Sequence, residues 1–305
     1  METKIDLKEE IRRISVKTQF SLRLLEKDYH LTRILHKISE KRIKDLVFKG
    51  GTCLNKCYLG FYRLSEDLDF VYNQDVKNQS KIQIKKILDD LRRILFEILK
   101  ELGLETNKEL GKGWKMLTSK EGPKIVGLEV ITKYNSLLDG SLQTIKLEIS
   151  FRKKLIKPTI MKTIHHEFIN SLGQPILEED VEIEVIDLIE NFAEKFRALI
   201  TRKNVAIRDI YDIYFILKNN ILKITSEIID LIIIKINEIK KDDFTKEDFT
   251  KNNLIQFIKD LNSKLPDLNE KEISSVLKSG EKVEVSKMVE LITLSFKNPE
   301  VFHDD

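Results

Sequence analysis

Residues 48 to 70 read Phe48-Lys49-Gly50-Gly51-Thr52-Cys53-Leu54-Asn55-Lys56-Cys57-Tyr58-Leu59-Gly60-Phe61-Tyr62-Arg63-Leu64-Ser65-Glu66-Asp67-Leu68-Asp69-Phe70. The apolar run Leu46-Val47-Phe48 reads as a short strand, stopped by Gly50-Gly51, and Thr52 opens a helix carrying Leu54 and Tyr58. Glycine lets a backbone approach a ligand closely, and amides at a helix start can face a phosphate. Arg63 to Val71 then reads as a second strand. Successive side chains on a strand point to opposite faces, so Asp67 and Asp69 share one face while Leu68 and Phe70 enter the core. Two neighbouring carboxylates repel each other unless a positive charge lies between them. A hard cation such as Mg²⁺ prefers oxygen ligands and suits such a pair, above all when a nucleotide's phosphates complete its shell.

Outward from this stretch, the chain alternates between helical and strand patterns. Residues 7 to 40 carry apolar positions at helical spacing (Ile11, Ile14, Phe20, Leu24 and Leu25, then Leu31, Ile34, Leu35 and Ile38) and predict one or two helices covering a sheet. His30 and His36 read as surface or packing residues. Residues 81 to 102 predict a long helix with a wide apolar stripe, ended by Gly103. Leu128 to Ile131 and Gln143 to Phe151 predict strands, the second with Ile145, Leu147, Ile149 and Phe151 inward and Lys146, Glu148 and Ser150 outward. Arg152, Lys153 and Lys154 read as a solvated loop, and Ile160 to Ile164 as one further short strand. From about residue 183 the pattern becomes helical, with Val185, Ile189, Phe192, Phe196 and Leu199 on one helix face. Leu222 to Lys240, Leu254 to Leu261, Lys271 to Lys278 and Val283 to Phe296 complete the helical set. The duplication Asp243-Phe244-Thr245-Lys246 and Asp248-Phe249-Thr250-Lys251 is too short to be a structural repeat.

Composition excludes several classes. The 305 residues carry a formal net charge of +3 with interspersed charged and apolar positions, as expected of a folded chain rather than a disordered one. This balance neither announces nor excludes a nucleic-acid acceptor. The 2 cysteines, Cys53 and Cys57, fall on one helix face, far in sequence from the 5 histidines, so a zinc site is not expected. His165-His166 has only Glu167 nearby as a further ligand. No signal-peptide-like or membrane-spanning run stands out, and a cytoplasmic protein is expected.

A second constellation lies at Val185 to Leu217. At about 100° per residue, Lys195 and Arg202 fall on one flank of the apolar stripe. After a short connection come Arg208, Asp209 and Asp212, with Arg208 and Asp212 on one face. By themselves these residues would be ion pairs between two helices, each worth a few tenths of a kcal/mol.

Gly-Gly-Thr followed by Arg63-x-Ser65-x-Asp67-x-Asp69 resembles the first motif of the polymerase-β-like nucleotidyltransferases, and most closely the AbiEii/AbiGii-type toxins. Glu190-x-x-Ala193-Glu194-Lys195-x-x-Ala198-Leu199, Arg202 and Arg208-Asp209-x-x-Asp212 resemble that family's downstream motifs, in family order. The resemblance covers roughly residues 45 to 220. It implies an α+β fold: a nucleotidyltransferase core with a mixed sheet flanked by helices over residues 1–175. A helical domain over 176–305 would contribute Lys195 and the Arg208-Asp209/Asp212 motif to the cleft. It also implies a metal- and NTP-dependent nucleotidyltransferase toxin restrained by an antitoxin. Asp67 and Asp69 would hold Mg²⁺ or Mn²⁺, and Glu148, the outward carboxylate of a neighbouring strand, would be a third ligand or a base. Lys195 and Asp212 would be catalytic, with Asp209 competing for the aspartate's place. Gly50, Gly51, Thr52, Arg63, Ser65, Lys195, Arg202, Arg208 and Asp209 would bind the nucleotide, GTP or CTP among the candidates. The expected acceptor is the tRNA 3′ end. A protein or small-molecule acceptor, or a non-catalytic nucleotide-binding module, are the competing readings. A nuclease gives Gly-Gly-Thr no purpose.

Overall fold

The computed structural model describes residues 6–76, 79–107, 111–119, 124–151, 154–202, 205–242, 248–264 and 273–297. Arg152, Lys153, the first copy of the Asp-Phe-Thr-Lys duplication and the start of the expected 271–278 helix lie outside them. The chain divides into two units, Met1–Ile186 with Val276–Ser279, and Asp187–Ser275 with Gly280–Asp305.

In the first unit, the amphipathic residues 7 to 40 form two helices, α1 (Leu7–Thr18) and α2 (Leu22–Lys41), each with a side-chain cap, Asp6 and Ser21. The capping oxygens satisfy amides that have no partner within the helix. β1 (Leu46–Lys49) leads into a four-residue helical turn, Gly50–Cys53, which widens into a π-helix over Leu54–Leu59. β2 (Asp67–Tyr72) is the acidic strand. A longer helix, α3 (Lys81–Glu101), starts at a capping box between Ser80 and Gln83. The strands β3 (Trp114–Thr118), β4 (Ile125–Asn135), β5 (Leu142–Ser150), β6 (Ile160–Thr163) and β7 (Glu182–Val185) complete the set.

These strands form one seven-stranded mixed sheet in the order β3-β4-β5-β2-β1-β7-β6, so the acidic strand stands in the middle. β2 runs antiparallel to β1 and parallel to β5, while β7 pairs parallel to β1. Leu68, Phe70, Leu147, Ile149, Leu128 and Val130 join Leu31, Ile34 and Leu35 of α2 and Leu91, Leu95 and Ile98 of α3 in one buried cluster. The period-two alternation of β5 is therefore the boundary between that core and the outward face. At Val276–Ser279 the chain re-enters this unit, where the Leu64 amide donates to the Val276 carbonyl (2.9 Å) and the Ser279 amide to the Gln19 carbonyl (2.7 Å).

Val185 belongs to β7 rather than to the helix that its spacing with Ile189 suggested, and the helical unit begins at Asp187. Asp187 caps α4 (Leu188–Thr201), accepting from the amides of Ile189 and Glu190. α5 (Ile207–Lys218), α6 (Ser226–Asp242), α7 (Lys251–Lys259) and α8 (Val285–Ser295) follow. Phe196 is the centre of this core, edge-on to Phe192 at 5.1 Å and to Phe296 at 5.4 Å between ring centroids.

Candidate active site

The glycine turn and the acidic strand are built as one piece. Gly50 has φ +79°, a left-handed conformation that side chains rarely adopt, and a Cβ there would stand 2.5 Å from Asp69 Oδ2. A Cβ on Gly51 would stand 2.6 Å from Arg63 Nη2 and 3.3 Å from Ser65 Oγ. Both glycines are thus demanded by close approach, one to a carboxylate and the other to a guanidinium and a hydroxyl. The Thr52 hydroxyl donates to the Asp67 carbonyl, fastening the turn to β2. Arg63 is buried, and its Nη1 donates to the Leu64 carbonyl at 2.9 Å. Behind the turn, Lys56 of the π-helix is fully buried, with Nζ 2.8 Å from Asp28 Oδ1 and 2.8 Å from the Thr32 hydroxyl.

Asp67 and Asp69 are half-buried and alternate with buried Leu68 and Phe70, as the sequence pattern predicts. Strand register extends their face sideways. Asp69 is level with Lys49 on β1 and Glu148 on β5, and Glu148 is level with Glu129 on β4. One residue pair along, Asp67 is level with Lys146. Register neighbours share a sheet face, so this face carries Asp67, Asp69, Glu148 and Glu129 around Lys146. Lys146 Nζ lies 3.6 Å from Glu148 Oε2. Burial alone would lower the pKa of Lys146, but Asp67, Glu148, Asp69 and Glu129 outweigh it and hold the ammonium above its ordinary value. Glu129, Lys146 and Lys49 were not among the residues singled out from sequence. Their membership follows from register, which no local motif encodes.

The carboxylate oxygens are the hard donors that Mg²⁺ takes, and Gly50 leaves the Asp69 carboxylate uncovered by a side chain on that side, so the donor chemistry fits such an ion. Among the described residues, no set of three His, Cys, Asp or Glu side chains is arranged to hold a metal by itself. His166 Nε2 instead lies 3.1 Å from the Glu178 carbonyl, His36 is buried, and the half-buried His30 packs its ring 4.1 Å from that of Tyr134. Cys53 and Cys57 are buried free thiols, and burial together with Cys57 pushes the Cys53 thiol well up.

In the helical unit, Lys195 bridges α4 to α5 with Nζ 2.8 Å from Asp209 and 2.8 Å from Asp212. Arg202 pairs with the other Asp209 oxygen. Asp212 has no exposed side-chain surface, against 12% for Lys195, so this is a desolvated triad rather than the exposed helix pairs considered above. The carboxylate of Asp212 is held by Lys195 of the other helix. Behind it, Lys235 of α6 is buried against Glu190 and Glu194 of α4.

The sequence model of the AbiEii nucleotidyl transferase toxin, type IV toxin–antitoxin system, matches residues 33–283. The chain belongs to this family. The AbiEii match spans both constellations, the Gly50–Asp69 piece and the Lys195–Asp212 triad. No curated protein matches. Among solved structures, JHP933 from Helicobacter pylori is similar at 17% identity and TM-score 0.49, with 90% of this chain and 91% of that one covered. A second Helicobacter pylori protein, provisionally named a nucleotidyltransferase, is similar at 18% identity and TM-score 0.49, with 90% and 94% covered. No helix among the described residues is long and apolar enough to cross a membrane.

Proposed function

We propose that this AbiEii chain transfers a nucleoside monophosphate from an NTP, GTP or CTP among the candidates, to the 3′ end of tRNA, and that an antitoxin restrains it in the cytoplasm. The observation that carries the reading is the joint built by Gly50, Gly51 and β2. It packs a donor-rich turn against the same carboxylate that the metal would need. Asp67 and Asp69 would hold Mg²⁺ or Mn²⁺, with Glu148 beside them, and the ion would supply Lewis-acid neutralisation of the phosphates.

The chain's own residues do the rest. Backbone amides at Gly50 and Gly51, with Thr52 and Ser65, offer donors to the β and γ phosphates. Arg63 stiffens the turn from beneath. Glu148, half-exposed on the outward face, is suited to accept the proton of the attacking hydroxyl. Such a site works through positioning and electrostatics rather than a covalent intermediate. Lys195 and Asp212, which the resemblance counts among the active-site groups, enter the proposal through their variants.

The test incubates the purified protein with Mg²⁺, one labelled NTP at a time, total cellular RNA and protein extract. An Asp67→Asn/Asp69→Asn variant runs alongside. Label in a tRNA-sized band with the intact protein alone is the expected result. Label in protein bands would move the acceptor to protein, and no label in any arm would overturn the transferase reading.

A further inference from the structure

The outward face of the sheet carries more negative charge than a metal pair requires, and one cation is set in its middle. Lys146 stands level with Asp67 on β2 and with Ile131 on β4, and its strand neighbour two residues on is Glu148. Asp69 and Glu129, the two residues level with Glu148, are therefore its diagonal neighbours. Directly level side chains on a sheet are about 5 Å apart at Cβ and diagonal ones about 7–8 Å, within reach of a lysine. Four carboxylates thus ring one ammonium, and Lys146 and Glu148 are each 36% exposed, so the cluster is partly shielded from water. The ring is a property of backbone register, and so persists whatever ion is present. Lys49, level with Asp69 from β1, is a second cation beside the aspartates, whereas Lys115 lies at the far end of this row, beyond Glu129.

We propose that Lys146 is the resident counter-ion of the carboxylate face, and that a divalent cation gains Asp67 and Asp69 only by displacing it. This deepens the metal-dependent transferase reading and rests on it. A hard dication and an ammonium compete for the same oxygens, so the ion alone binds weakly. A triphosphate changes the balance, because its oxygens add ligands for the metal and offer the displaced ammonium a new anionic partner. Metal and nucleotide therefore enter together. Lys146 is a positioning residue: it sets when the carboxylates become available.

The experiment measures Mn²⁺ binding to the full chain by electron paramagnetic resonance, with and without a non-hydrolysable NTP. Without nucleotide, Lys146→Met is expected to bind Mn²⁺ at least about tenfold tighter than wild type, since removing one nearby positive charge favours a dication. Lys146→Arg should keep the weak wild-type binding, Lys115→Met should change nothing, and Asp67→Asn placed on Lys146→Met should erase the gain. The nucleotide should improve Mn²⁺ affinity more in wild type than in Lys146→Met. Lys146→Gln substitutes where the methionine variant does not fold, as judged by its melting curve. Wild-type binding that depends on Asp67 but is untouched by Lys146→Met or Lys146→Gln would overturn this inference and leave the metal reading standing. Absence of Asp67-dependent Mn²⁺ binding in every variant, with and without NTP, would overturn both.

Discussion

Replacing Gly50 by alanine isolates the joint between the glycine turn and the acidic strand. Two penalties add. The backbone at φ +79° costs a residue with a Cβ about 1–2 kcal/mol. The new methyl would also meet Asp69 Oδ2 at 2.5 Å, Asp69 Cβ at 3.0 Å and Cγ at 3.2 Å. Rotating the carboxylate relieves the first contact, but Cβ is fixed to the strand, so β2 itself must give. Overpacking of this kind costs roughly 1–3 kcal/mol. Gly103 is the control, with φ +70° and nothing within 4 Å of the place a Cβ would take. Gly103→Ala should show the backbone penalty alone, a melting shift of about 2–4 °C per kcal/mol. Gly50→Ala should melt lower still and lose on the order of 100-fold in transfer rate, the usual effect of moving a reacting group by about 1 Å. The assay pairs melting curves with labelled-nucleotide transfer for both variants. Wild-type transfer by Gly50→Ala, or an equal transfer loss in Gly103→Ala, would refute the reasoning.

Three further outcomes are expected. Lys56→Met leaves the buried Asp28 carboxylate without the ammonium it now holds at 2.8 Å. It should cost about 3–5 kcal/mol in urea denaturation, and Lys56→Met/Asp28→Leu should recover most of that; a single variant as stable as wild type would contradict it. Lys195→Met should abolish transfer and lower the denaturation midpoint by a similar mechanism, because Asp212 is fully buried against it. Unchanged transfer would remove Lys195 from the active-site set. His30 and His36 are held neutral mainly by burial, each with its pKa lowered from 6.5 to about 4. The unfolded chain therefore binds more protons between those values, so stability falls as pH drops from about 6.5 toward 4. Each histidine contributes a slope of up to about 1.4 kcal/mol per pH unit. A His30→Phe/His36→Phe variant should flatten that slope, and an unchanged slope would count against the assignment.

Much of the fold was legible because its signals are local. Gly50-Gly51 and the Asp67-x-Asp69 alternation foretold the turn and the central strand, and the stripe of Leu88, Leu91, Leu95 and Ile98 foretold the long helix. β3 was missed because it is an edge strand: only Trp114 of its five residues is buried, so no alternation marks it. β7 was missed because Val185 falls at helical spacing from Ile189, and four residues are too few for period two to compete. The π-helix left no trace, since its i→i+5 bonding changes no apolar spacing that a short segment can display. Site membership divided the same way. Asp67, Asp69 and Lys195 were named from motifs, while Glu129 and Lys146 became visible only once β4, β5 and β2 were in register. Arg202 and Lys195 share one flank in the sequence pattern and do meet on Asp209, while the reach of Lys195 from the neighbouring helix to Asp212 is tertiary and no local spacing encodes it.

The return of the chain at Val276–Ser279 governs how this protein can be taken apart. Leu64 is fully buried between Arg63 and Ser65, and its amide is satisfied by the Val276 carbonyl. A fragment ending after Ile186 would keep all seven described strands and the carboxylates of Asp67, Asp69, Glu129 and Glu148. It would nonetheless leave that amide unsatisfied, at a cost of about 1–3 kcal/mol, in the segment that delivers the chain into β2. The first unit is therefore discontinuous in sequence: its last stitch is supplied some ninety residues after the last of its described strands, and a truncation upstream of 276 would unpick it.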